Sequence, residues 1–303
     1  MKRKVIEMSS MGNPCKTREE SRSHFRQITR GLGFHSVHGD GPMMMSDLRF
    51  DLKKPVKMGI DEAGRGSVIG PMTYGAAYWT LDVDAEMEKK GFDDSKQLTH
   101  EKRLKLFRLM ENTPEVSYIV RVLHAPEISR KMLRPSPYNL NEMSHDTAMD
   151  MIRAVLNAGV NLTECYIDTV GQPESYQAKL ERTFAGKDIK FTVAKKADSL
   201  YKTTSAASIA AKVARDEIVE NWKFSEEGFQ PENGIEFGSG YPSDPKCKAW
   251  LEKNFQDEVF AFPDAVRFSW APIKQVIEEK GTKIKWEADD DMDDAANDQG
   301  QMR

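Results

Sequence analysis

Three times along this chain a short apolar run leads to an aspartate, and that recurrence constrains the fold more than any bulk property. Val56-Lys57-Met58-Gly59-Ile60 runs into Asp61, Cys165-Tyr166-Ile167 into Asp168, and the alternating stretch Ile189–Val193 is followed by Asp198. Each run has the length and residue types of a strand. Further strands are predicted over Tyr74–Trp79 and Val116–Leu123. Helical spacing fills the gaps: a helix capped by Thr99 with Leu106, Leu109 and Met110 on one face, and one capped by Ser144 with Ala148, Met151, Ile152, Val155 and Leu156. Pro173 opens a helix carrying Tyr176, Leu180 and Phe184. A long helix after Asp198 turns Ile209, Val213, Ala214, Ile218 and Trp222 inward, and two more patterns lie at Pro245–Phe255 and Pro272–Glu279. Strands followed by strand–helix units imply an α/β sheet with helices on its faces, whose site lies at the carboxyl ends of the strands.

Four organisational segments follow. Residues 1–50 lean basic and 287–303 are acidic, both without apolar periodicity, and are expected to be disordered tails. The ordered chain is expected to begin near Pro55, with a catalytic domain over 51–225 and a helical extension over 226–286. Three scattered cysteines, Cys15, Cys165 and Cys247, exclude a disulfide framework and a CxxC zinc site, which favours a reducing, intracellular compartment. No apolar run is long enough to span a bilayer, and no membrane partner is expected. A net charge of −4 does not decide for or against nucleic acid, since only the face meeting phosphate must be basic.

A single aspartate after a strand is ordinarily a turn former or helix cap. Asp61, Glu62, Asp168 and Asp198 carry weight jointly, because carboxylates delivered by several strand ends suit hard divalent cations and would repel one another without them. The turn Gly64-Arg65-Gly66 follows the acidic pair directly, and glycines let a backbone approach a sugar or phosphate closely. A GxxxxGK[ST] loop is absent, and no GxGxxG stands in a strand–turn–helix setting, which disfavours nucleoside-triphosphate hydrolysis.

With these residues in place, the sequence resembles the ribonuclease HII family, and within it the catalytic A subunits of eukaryotic type 2 ribonucleases H. The segments that carry the resemblance are DEAGRGSVIGPM from Asp61, DSKQL from Asp94, YNLNEMSHDTA from Tyr138 and YIDTVGQPESYQAKL from Tyr166. They continue with KKADSLYKTTSAASIAAKVARD from Lys195, GSGYPSDPKCKAW from Gly238 and FPDAVRFSW from Phe262. The resemblance implies a ribonuclease H-like mixed sheet flanked by helices, with a helical C-terminal extension. It implies that Asp61, Glu62, Asp168 and Asp198 hold two magnesium or manganese ions. Cleavage would fall on the 5′ side of a ribonucleotide, in RNA–DNA hybrids or in duplex DNA, leaving a 3′-hydroxyl and a 5′-phosphate.

By the same resemblance Gly64, Arg65, Gly66 and Tyr241 read the 2′-hydroxyl, although on sequence alone Tyr241 is an ordinary aromatic beside Pro242. Lys96 and Arg65 are candidate phosphate contacts and Asn139 a further substrate contact. Non-catalytic B and C subunits are implied as partners, with 266–286 as a docking surface, and a nuclear location is expected. Ser67 stands where relatives often carry proline, which is expected to loosen the turn. Lys202 and Cys247 also depart from the usual pattern, and none of the three is an acidic ligand. Two other readings remain: a different ribonuclease H-like nuclease, which would lack the paired turn and tyrosine, and a non-catalytic hybrid-binding scaffold, for which four carboxylates beside phosphate are a handicap.

Overall fold

The computed structural model describes residues 41–136, 138–222, 224, 226, 236–255 and 261–283. The predicted basic and acidic tails lie almost wholly outside them. Six strands form one sheet: β1 (Met43–Met45), β2 (Val56–Ala63), β3 (Met72–Thr80), β4 (Val116–Leu123), β5 (Leu162–Asp168) and β6 (Lys190–Ala194), in the order β1-β4-β3-β2-β5-β6. The pairs β1–β4, β4–β3 and β3–β2 are antiparallel, whereas β2–β5 and β5–β6 are parallel. The carboxyl ends of β2, β5 and β6 therefore share one edge, where the three aspartates were expected.

Nine helices are described: α1 (Asp84–Met87), α2 (His100–Asn112), α3 (Ala125–Leu133), α4 (Leu140–Asn157), α5 (Pro173–Thr183), α6 (Ala197–Leu200), α7 (Lys202–Glu220), α8 (Pro245–Lys253) and α9 (Ala271–Lys280). One face of the sheet packs on α2, α7, α8 and α9, through Trp79, Phe107, Ile209, Trp250 and Ile273. The other packs on α3, α4 and α5, through Met58, Ile128, Ile152 and Leu180. Small residues let α7 lie close on the central strands. A Cβ at Gly59 would come within 2.2 Å of the Thr203 carbonyl carbon, and one at Gly75 within 2.2 Å of Ala207 O.

Several expectations change. The chain joins the sheet before Pro55: β1 lies inside the segment expected to be a tail over 1–50, too short and methionine-rich for a periodicity test to register. The cap of α4 is Asn139, whose side chain accepts from Glu142 N, and not Ser144, which lies a turn inside and donates to Leu140 O. β2 runs on past Asp61, so that Glu62 and Ala63 also belong to it. Trp222 lies past the end of α7 but stays in the core. The extension is part of the same core, with Val266 bridged to Ile69, and among the described residues no helix is long and apolar enough to cross a membrane.

Candidate active site

The carboxylate edge is built by register. Ile60 pairs with Ile167 across the parallel β2–β5 seam, so Asp61 and Asp168 occupy the next positions on neighbouring strands. Asp61 turns toward α7, beside Ser208, whose hydroxyl donates to Ser95 Oγ at 2.8 Å, and Asp61 Oδ1 accepts from Glu62 N at 2.7 Å. Glu62 turns to the opposite face, beside its cross-strand partner Tyr74. Asp198 arrives on α6, after Lys196 has reversed the chain with a left-handed φ of 57°. That turn aims Ala197 N at Asp168 Oδ1, 2.7 Å away. A non-glycine residue in this conformation is strained, and strain of this kind is concentrated at functional sites.

Burial and mutual repulsion shape the electrostatics. Asp61 is buried and held far above the usual carboxylate range, by loss of solvent first and then by Glu62 and Asp168, with Ser208 opposing. Burial pushes Glu62 up to about 7 against the pull of Arg65, and Asp198 up to about 6 with help from Asp94 and Asp168. Asp168 is raised by burial too, with the Ala197 amide working against it. Lys96 is exposed at the rim; partial burial works against its charge, but Asp61, Asp94, Asp198 and Asp168 outweigh it and raise its pKa. Among the described residues no three acidic, histidine or cysteine side chains close around a single point. Asp168 is turned to the Ala197 amide.

The Gly64-Arg65-Gly66 turn is held from below by two buried arginines to which the sequence assigned no role. Arg267 donates to Gly64 O at 2.7 Å, Arg65 O at 3.0 Å and Gly70 O at 3.0 Å. Arg215 donates to Pro71 O at 3.2 Å and Ser239 O at 2.9 Å, and its guanidinium lies 5.4 Å from the centre of the Tyr241 ring. Burial and then the neighbouring Arg215 push Arg267 down to about 9, so the pair is kept charged against a cost. Gly64 needs its φ of 80°, and a Cβ there would strike Arg215 Nε at 2.2 Å.

Ser67 tightens this turn and does not loosen it: both its N–H and its hydroxyl donate to Gly64 O. With the turn's carbonyls bound inward, the amides of Arg65 and Gly66 engage no other backbone group among the described residues. The second glycine motif closes over them. Gly240 O accepts from Val68 N and Ile69 N, and the Tyr241 ring sits where a Cβ on Gly66 would be 3.6 Å from Cε1.

Gly64, Arg65, Gly66 and Tyr241 are thus brought together, the four carboxylates share the adjoining edge, and Lys96 stands at their rim. Asn139 is not among them, because its side chain is used in capping α4; Asn141, two residues on, accepts from Arg65 Nη2 at 2.5 Å instead. Asp94, which opens the DSKQL segment, faces Asp198. Arg215, Arg267 and Asp94 all lie in segments that carry the family resemblance, but nothing in those segments shows that the two arginines reach the Gly64 turn or that Asp94 faces Asp198. In the segment 266–286, Val266, Arg267 and Ile273 point into the core while most of α9 is exposed, and residues beyond 283 lie outside the described part.

The comparisons with known proteins agree with this geometry. The family model described as Ribonuclease HII matches residues 58–273. The A subunit of human ribonuclease H2 is 46% identical over 235 residues, covering 78% of this chain and 77% of that one. Its namesake from Arabidopsis thaliana is 45% identical, with 78% of each chain covered. The crystal structure of ribonuclease H2 from Pyrococcus horikoshii OT3 superposes with a TM-score of 0.61 at 32% identity, over 74% of this chain and 98% of that one. The chain therefore belongs to the ribonuclease HII family, and its activity is that of a type 2 ribonuclease H, a hydrolase that acts as an endoribonuclease.

Proposed function

We propose that the chain cuts the RNA strand of RNA–DNA hybrids, and single ribonucleotides embedded in duplex DNA, on the 5′ side of the ribonucleotide. The observation that carries this reading is the placement of Tyr241 over Gly66, beside the carboxylate edge. A 2′-hydroxyl is what separates ribose from deoxyribose. The outward amides of Arg65 and Gly66 are its donors, and the Tyr241 ring packs on the adjoining sugar. Lys96, and the Arg65 side chain on the other side, take phosphate oxygens.

The donor set fits hard divalent cations such as magnesium or manganese: the four acids offer only oxygen, and their raised pKa values are what an added positive charge would reverse. Asp61, Glu62, Asp168 and Asp198 would hold two such ions. The chemistry these ions supply when bound is Lewis-acid assistance to an in-line displacement at phosphorus, leaving a 3′-hydroxyl and a 5′-phosphate. The Glu62 amide, bonded to Asp61, and the Ala197 amide, bonded to Asp168, fix the two carboxylates that flank the β2–β5 seam.

The relatives are named as A subunits, which supports assembly with non-catalytic B and C subunits, and a nuclear location goes with work on DNA. The test is a cleavage assay with magnesium on duplexes carrying one ribonucleotide, with an all-DNA control, for the chain alone and with the B and C partners. A single cut 5′ to the ribonucleotide, absent in Asp61→Asn, is the expected result. Cutting that ignores the ribonucleotide would favour the other ribonuclease H-like reading, and full activity without partners would remove the assembly requirement.

A further inference from the structure

On the Glu62 face of the sheet, a narrow cleft holds polar groups that the carboxylate chemistry and the Tyr241 contact leave unused. Its floor is Tyr74, Ala148 and Tyr176, and its mouth is framed by Arg65, Asn141 and the exposed Val170. We propose that this cleft is a subsite for one backbone phosphate of the nucleic-acid substrate, next to the phosphate that is cut, received by Arg65, Asn141 and the Tyr74 hydroxyl. The inference rests on the nuclease reading above and adds residues to it.

Tyr74 supplies the first argument. Its side chain is only 3% exposed, yet its hydroxyl makes no hydrogen bond. Buried hydroxyls rarely go without a partner, because an unmet one costs about 1–3 kcal/mol. The adjacent Ser144 has spent its one proton on Leu140 O at 2.8 Å and accepts from Arg65 Nη1 at 2.7 Å, so it has no proton to give the Tyr74 oxygen. A tyrosine hydroxyl carries its proton at ordinary pH and can serve as a donor.

The mouth supplies the second. Ser144 and Asn141 fix the Arg65 guanidinium from α4, and because Asn141 Oδ1 accepts from Arg65, its amide nitrogen is left as a donor. His145 stacks on Tyr176 at 3.7 Å, and its Nδ1 makes no hydrogen bond either. A cation and fixed donors around one small opening match a group with several acceptor oxygens and a negative charge. Glu62 and Asp168 both line the opposite wall, and their charge places the anion on the Arg65 side. The opening lies at the strand ends that carry the carboxylates, within reach of a bound backbone.

The test uses the full chain in the assembly that cuts, with duplexes containing one ribonucleotide in which successive flanking phosphates are replaced by uncharged methylphosphonate. Binding is measured for the wild type, Tyr74→Phe and Asn141→Ala. One position should weaken wild-type binding about 10-fold or more. At that position the two variants, already weakened on the natural duplex, should lose little further. Equal losses at every position, or variants that bind as the wild type does, would overturn the inference and assign the Tyr74 hydroxyl to a trapped water. Should Tyr74→Phe fail to fold, Asn141→Ala, at an exposed position, decides the matter. Ribonucleotide-dependent cutting without any phosphate coupling removes the subsite alone, whereas absence of that cutting in the wild type removes the nuclease reading and the subsite with it.

Discussion

Replacing Arg267 with methionine separates the turn from the carboxylates, and its cost can be worked from the contacts. The guanidinium is fully buried and serves three carbonyls. Gly64 O keeps Ser67 N and Ser67 Oγ, so it is not orphaned. Gly70 O is buried and accepts from nothing else among the described residues, while Arg65 O is half-exposed and can be rehydrated in part. Counting roughly 2–3 kcal/mol for the first and about 1 kcal/mol for the second gives a loss of about 3 kcal/mol. Methionine fills most of the volume, so little cavity cost is added. For a chain of this size that is a fall of about 6–12 °C in melting temperature. The turn would also lose its clamp, and a shift of an ångström there should lower the specificity constant on a single ribonucleotide roughly 100-fold. Arg267→Lys should rescue neither, because a compact ammonium cannot reproduce a three-way fork. Differential scanning fluorimetry and a ribonucleotide-cleavage assay read both effects. A methionine variant that melts within ~2 °C of the wild type and keeps its ribonucleotide preference would refute the clamp.

Four other outcomes are expected. Tyr241→Ala should cut with less preference for a ribonucleotide over an all-DNA control, measured as the ratio of the two rates; an unchanged ratio would place discrimination elsewhere. Asp61→Asn and Asp168→Asn should lose cleavage while circular dichroism stays native, and Asp61→Asn should melt higher than the wild type in chelator because a buried charge is gone. Glu62 and Asp198 hold protons more tightly in the folded chain than at their ordinary values, so without divalent ions stability is greatest below those ordinary values and falls as pH rises through about 6 to 7. Melting curves in chelator should show that fall, Glu62→Gln should flatten it, and added magnesium should offset it. Gly59→Ala should abolish folding or cost at least ~3 kcal/mol by driving α7 off β2, seen in soluble yield and unfolding midpoint.

What the sequence disclosed was whatever local pattern encodes. A strand running into an aspartate can be seen in ten residues, so Asp61, Asp168 and the approach to Asp198 were legible together with the sheet edge they share. Gly64 and Gly66 were legible because a turn needs them. Tyr241 became legible only through the family resemblance, since nothing near it announces that it crosses to Gly66. Contacts set by tertiary packing stayed hidden. Asn139 and Asn141 are alike in composition, and only the start of α4 decides that one caps the helix while the other meets Arg65. Ser67 looked like a lost proline until its hydroxyl was seen bonded to Gly64 O. Arg215 and Arg267 lie inside two of the family segments but got no role from the sequence, because Pro71 O and Gly64 O, which they meet, lie more than a hundred residues away.

The distance between Arg267 and Gly64 has a bearing on the order in which the molecule matures. The two are separated by 203 positions. During synthesis the segment bearing Asp61, Asp168 and Asp198 is complete well before residue 267 leaves the ribosome, and domains form largely in that direction. A nascent chain in that interval has its acids but no clamp under the turn, and Tyr241 joins only shortly before Arg267. On the proposed reading, the groups that tell ribose from deoxyribose are therefore completed after the acids: Arg267 is made about 70 residues after Asp198, on the order of several seconds of translation.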